Sequence, residues 1–129
     1  MTLNQIMRLS SSGMVAERAR MDVVSANIAN ANSMRTPTQD AYHRQMVSLI
    51  STDSGVKVDK IVQDPSPLKA VSEPGHPFAD ANGMVYYSNV DPVYEMVNLM
   101  SASRAYEANV AAFNSAKGMI KAAFQIGKV

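Results

Sequence analysis

From Asp91 onward the chain carries apolar residues at three- and four-residue steps almost to its last position, and that run limits what the rest can fold into. Asp91 is a favourable N-cap, Pro92 suits the first helical position, and Glu95 falls in the first turn, where the helix dipole favours an acid. Met96, Leu99, Tyr106, Val110, Phe113, Ile120 and Phe124 then form one stripe, broken only by Ser103 and Lys117. Val93, Val97, Met100, Ala108, Ala111 and Ala112 give the same helix a second apolar flank. A helix with two such flanks needs more than one surface to pack against.

The N-terminus supplies one of them. Thr2 followed by Gln5 is a capping-box pattern, which starts a helix near Leu3. Leu3, Met7, Met14, Met21, Val24, Ile28 and Ala31 recur at alternating four- and three-residue steps, with Ser10 and Glu17 as polar interruptions, as on a coiled-coil seam with weak spots. Gly13 follows three serines and costs about 1 kcal/mol of helix propensity against alanine. A bend or an end is expected there unless a neighbour packs on it. The helix closes in "SANIANANS", residues 25–33, where Ala26, Ala29 and Ala31 permit close approach and Asn32 is expected to take a left-handed cap conformation. Asn27 and Asn30, whose amides both donate and accept, are candidates for fixing the register of packed helices.

Between the helices the period changes. "YHRQMVSLIS" and "VKVDKIVQ" read as strands joined through Thr52, Asp53, Ser54 and Gly55, a hairpin. Pro65, Pro67, Pro74 and Pro77 then exclude a long helix and leave loop, edge strand and turns, before Asn82-Gly83 marks a tight turn into "MVYYS", a further strand. The expected fold is α+β: long N- and C-terminal helices paired as an antiparallel coiled coil, with a small hairpin- and loop-rich middle. The expected division is 1–34, 35–90 and 91–129. Each helix alone has too few apolar anchors to offset the entropy of ordering it, so pairing, and then packing against other subunits, is expected.

Several classes of function find no support. A formal charge of +1, from 12 basic and 11 acidic residues, provides no field for nucleic acid or an anionic membrane. There is no cysteine, and His43 and His76 are not at metal-ligand spacing. Phosphate-loop, dinucleotide and nucleophile-elbow glycine patterns are missing, while Asp53, Asp59 and Asp64 read as turn, strand-surface and loop residues. No enzyme, cofactor, nucleic-acid partner or small-molecule substrate is expected. The start shows no cleavable secretory pattern, and ten methionines against no tryptophan suit surfaces that meet several partners.

"SSSGMVAERARMDVVSANIANANS", "RTP", "PGHPFADANG", "NVD" and "EMVNLMSASRAYEANV" together resemble the bacterial flagellar basal-body rod protein family, across nearly the whole chain and in the family's order. The resemblance implies a structural subunit of the periplasm-spanning rod, which carries torque from rotor to hook. It implies terminal helices forming an inner tube around the export channel, and passage through the flagellar type III export apparatus without a cleaved signal peptide. The implied partners are further copies of the chain, other rod proteins, the rotor ring and basal-body components. Gly13, Met21, Asn27, Ile28, Asn30 and Asn32 match the N-terminal motif, and Glu95, Met96, Ser103, Arg104, Tyr106 and Asn109 the C-terminal one. Together with the seam positions Met14, Leu99, Val110, Phe113 and Ile120, they give an expected assembly interface of Gly13, Met14, Met21, Asn27, Ile28, Asn30, Asn32, Met96, Leu99, Arg104, Tyr106, Asn109, Val110, Phe113 and Ile120. Within it Arg104 offers a fork of donors and Tyr106 an apolar body with a polar tip.

Overall fold

Two long helices bracket the chain in the computed structural model, which describes residues 1–128. Helix α1 spans Leu3–Ala29 and α2 spans Pro92–Ile126. Both begin as their sequences dictate. The Gln5 amide N–H donates to Thr2 Oγ1 at 3.2 Å while the Gln5 side chain accepts from the Thr2 N–H at 2.7 Å, and Asp91 Oδ1 accepts from the Val93 N–H at 3.1 Å. Helix α1 ends at Asn30, whose Nδ2 donates back to the Ala26 carbonyl at 2.8 Å. Asn32 does not take the expected left-handed conformation. Among the described residues only Gly55 and Gly83 have positive φ; the helix closes instead on a tightened last turn, in which the Ala31 N–H donates to the Ile28 carbonyl at 3.2 Å.

The helices are antiparallel and hold one register. As α1 runs back fourteen residues from Asn27 to Gly13, α2 advances fourteen from Glu95, which Asn27 touches, to Asn109, which lies against Gly13. Helix α2 is the longer, 35 residues against 27, so its last turns reach past the start of α1 and Lys121–Ile126 are all exposed. At Gly13 a neighbour does pack, and the helix neither bends nor ends there. The Asn109 side chain fills the space that a Cβ there would occupy, so the missing side chain is what lets α2 approach.

Strands β1, Gln45–Thr52, and β2, Gly55–Gln63, form the expected hairpin, packed against α1. Its register shifts between Ser48 and Leu49, which pair with Lys60 and Val58, leaving Asp59 as the extra residue of a bulge. The middle also contains a strand that the prolines left undefined. Strand β3, Lys69–Ser72, pairs antiparallel with β4, Met84–Tyr87, and residues 73–83 form the loop between them. Gly83, at φ 75°, makes the tight turn expected at Asn82-Gly83. Asp80 supports it by accepting from the Asn82 and Met84 N–H groups, each at 2.9 Å. The chain after α1 ties this second hairpin to the helices: the Arg35 N–H donates to the Tyr86 carbonyl and the Ser88 N–H to the Ser33 carbonyl, both at 2.8 Å.

The core is built from small side chains. Ala16, Val23, Val24, Ala31, Ala41, Val85, Val90, Ala102 and Ala116 are buried, while most of the methionines and aromatics are half-buried or exposed. Alanine between two helices brings their backbones close, and displaces the bulky residues to the flanks.

Candidate assembly interface

Where α1 ends, α2 begins and β1 enters, five polar side chains meet. Asn27 is 1 % exposed. Its Nδ2 donates to the Gln45 carbonyl at 2.9 Å and to Glu95 Oε2 at 3.1 Å; its Oδ1 accepts from the Gln45 N–H at 3.0 Å and from the Tyr42 hydroxyl at 2.9 Å. Glu95 is fully buried and its other oxygen, Oε1, accepts from Arg44 Nε. Arg44 in turn donates from Nη1 to Asp64 Oδ2 at 3.0 Å, and its guanidinium lies 5.3 Å from the centre of the Tyr94 ring. A buried carboxylate is tolerated only when paired and hydrogen-bonded, and Glu95 is both.

The electrostatics follow the geometry. Burial works against the Arg44 charge, but the Glu95 and Asp64 carboxylates outweigh it and push its pKa up. Burial, and then the Glu95 charge, raise the Tyr42 phenol. Hydrogen bonds from Ser66, followed by that from Arg44, hold Asp64 below its ordinary value. Asn89 closes the joint from the second hairpin, accepting from the Arg44 N–H at 2.6 Å and donating to the Ser66 carbonyl at 3.0 Å.

The outer side of α2 has the opposite character. Val93, Met96, Val97 and Met100 are each between 52 and 70 % exposed, at the spacing of one helical face. Ala108, Ala111 and Ala112 continue the exposed surface, and Met119 and Ile126 end it, while Phe124, on the seam side, is exposed because α2 runs past the start of α1. The second apolar flank read from the sequence is therefore uncovered in the single chain. Four methionine or valine side chains in one patch exceed the scattered apolar exposure of an ordinary surface.

Against the expected interface the structure separates three groups. Asn27 lies inside the chain, with all its donors and acceptors used there. Gly13, Met14, Met21, Ile28, Leu99, Tyr106, Asn109, Val110, Phe113 and Ile120 are half-buried on the paired helices, and Gly13 and Asn109 are in direct contact. Asn30, Asn32, Met96 and Arg104 are exposed. Sequence reasoning missed Arg44, to which it gave no structural role, and the role of Glu95, which the helix dipole alone accounted for. The signal available was an acid in an otherwise apolar helix start, "VYEMV", with an arginine directly before a strand; neither spacing pairs them.

Among the described residues no group of three His, Asp or Glu side chains could hold a metal ion, and no helix is long and apolar enough to cross a membrane. The described residues thus form a helix pair fastened by an internal polar joint, with a methionine- and valine-rich face that the chain itself leaves uncovered. Residues 7–34 match the family described as flagella basal body rod protein, and residues 81–126 match the flagellar basal body rod FlgEFG protein C-terminal family. The chain is 41 % identical to flagellar basal-body rod protein FlgC of Bacillus subtilis, over 99 % of this chain and the whole of that protein. It is 39 % identical to that of Salmonella typhimurium, over 99 % of the chain and all of the relative, and 38 % identical to that of Borreliella burgdorferi, over 98 % of each. The chain belongs to the FlgC family of flagellar basal-body rod proteins. It is a structural subunit of the rod and not an enzyme.

Proposed function

We propose that the chain enters the rod by packing the outer face of α2, Val93, Met96, Val97 and Met100, against neighbouring rod subunits, with Arg104, Asn30 and Asn32 as polar contacts at its margins. The uncovered apolar stripe carries this reading: four side chains on one helical face are each more than half exposed, and their own chain does not cover them. In this reading the half-buried seam residues Gly13, Met14, Met21, Ile28, Leu99, Tyr106, Asn109, Val110, Phe113 and Ile120 serve assembly through the helix pair, and Asn27 serves it by fixing that pair from within. The terminal divisions that carry the helices, 1–34 and 91–129, contribute the inner layer around the export channel, and residues 35–90 lie outside. The chain reaches its place through the flagellar type III export apparatus without a cleaved signal peptide, spans the periplasm as part of the rod, and passes torque from the rotor ring towards the hook.

Val97→Asp tests this directly, because Val97 is exposed and the substitution leaves the helix pair and the polar joint untouched. The expected result is a chain that is made and exported, in cells that do not swim and yield no complete rods. Normal swimming with normal rods would overturn the proposed face.

A further inference from the structure

We propose that the β1–β2 hairpin is a splint for α1, fastened at its base and its tip, and that it holds the Ser10–Gly13 segment helical. Three serines followed by glycine are each poorer helix formers than alanine, and a serine bonded back to a carbonyl one turn earlier tends to bend a helix. Ser12 makes that back-bond, donating from Oγ to the Leu9 carbonyl at 2.7 Å. Yet α1 runs through the segment unbroken. What distinguishes Ser12 is a second bond: its Oγ accepts from the Val56 N–H, in the strand that leaves the hairpin turn, at 3.2 Å. Gly55 makes this approach possible. Its φ is 129°, and a Cβ there would lie 2.1 Å from Ser12 Oγ, so any side chain would push the tip away from the helix.

The base of the same hairpin is fixed fifteen residues along α1, by the two bonds between Asn27 and Gln45. Strand and helix therefore run side by side between two fastenings. Asn109 of α2 holds the weak segment at Gly13 as well. Towards the N-terminus only the Leu9 side chain still lies beside Gly55, and no further hydrogen bond joins hairpin and helix. A cleft of about 470 Å³, lined by Met1, Gln5, Arg8, Leu9, Asp53 and Ser54, separates the hairpin tip from the first turns of α1. Ser12 is thus the outermost hydrogen bond between the hairpin and the helix, and losing it loosens residues 3–9.

Hydrogen–deuterium exchange of the full-length chain, comparing Ser12→Ala with Ser11→Ala, tests the splint. Both changes raise helix propensity equally, and Ser11 is exposed. The splint requires opposite outcomes. Ser12→Ala exchanges about fivefold faster in residues 3–12 and at the hairpin tip, the effect of losing one ordinary hydrogen bond, with residues 14–29 unchanged. Ser11→Ala leaves residues 3–12 unchanged or slower. The proposal is overturned if Ser12→Ala slows or preserves exchange there, if it accelerates residues 14–29 equally, or if residues 3–12 of the unaltered chain exchange at the free-chain rate.

Discussion

Asn27 and Glu95, 68 residues apart, meet inside the protein with Nδ2 and Oε2 3.1 Å apart, and this bond joins the end of one terminal helix to the start of the other. Through Asn27 it also reaches Gln45, where the first hairpin begins. The two ends of the chain and its middle are thereby set in one register by a single side chain.

Asn27→Ala leaves the Gln45 N–H and carbonyl, the Tyr42 hydroxyl and one Glu95 oxygen without their partner. Each buried group left unpaired costs about 1–3 kcal/mol, less whatever water recovers, so the expected loss is about 2–4 kcal/mol. Urea denaturation of the purified chain measures it. A loss below about 0.5 kcal/mol would mean that the joint does not hold the fold.

The pairing of Arg44 with Glu95 gives an asymmetric expectation. Arg44→Met removes the cation and leaves a fully buried carboxylate, which costs about 3–5 kcal/mol. Glu95→Gln keeps an acceptor for Arg44 and leaves Asp64 as its counter-charge, losing only the bond from Asn27 Nδ2, so it costs less. The two denaturation midpoints, measured side by side, should differ in that order.

Much of this architecture is written locally, and what is not local was not legible. The caps at Thr2 and Asp91 rest on partners two or three residues away, and the first hairpin on one turn, so both follow from adjacent residues. The exposed face of α2 was also readable, since two apolar flanks on one helix cannot both face a single partner. Within the main stripe, however, Met96 is 52 % exposed while Glu95 beside it is buried. Hydrophobicity assigned the inward position to the methionine, whereas the joint assigns it to the acid. That choice was made by Arg44, 51 residues earlier, and by Asn27, and no period in the sequence links them. Strand β3 was obscure for another reason: all four of its residues are exposed, so it has no apolar alternation and exists by pairing with β4.

Gly13 and Asn109 form a pair whose energies are coupled. Gly13→Ala alone should fail to return the roughly 1 kcal/mol that alanine gains in a helix, because its Cβ would meet the Asn109 amide at 2.7 Å. Combined with Asn109→Ala the gain should reappear. A double-mutant cycle on thermal stability measures the coupling, and strictly additive effects would show that the contact carries no energy.

At the surface, Arg35 Nε, 2.7 Å from Asp40 Oδ1, and the His43 ring, 3.1 Å from Oδ2, lower the Asp40 pKa from 3.8 to about 2. Since the folded value lies below the unfolded one, the interaction contributes above about pH 4 and is lost as the pH falls through about 2. Carboxyl NMR shifts should place the Asp40 midpoint near 2, and Arg35→Ala should move it back towards 3.8. The group is exposed, so salt should weaken the effect.

In the proposed arrangement the outer face of α2 is a contact between rod subunits. Cryo-electron microscopy of purified basal bodies, at a resolution that traces side chains, measures it directly. In the assembled rod Val93, Met96, Val97 and Met100 are expected to be buried against a neighbouring subunit, with the Asn27–Glu95–Arg44 joint intact inside each copy. The same four side chains facing open channel or solvent in the assembled rod would contradict that arrangement.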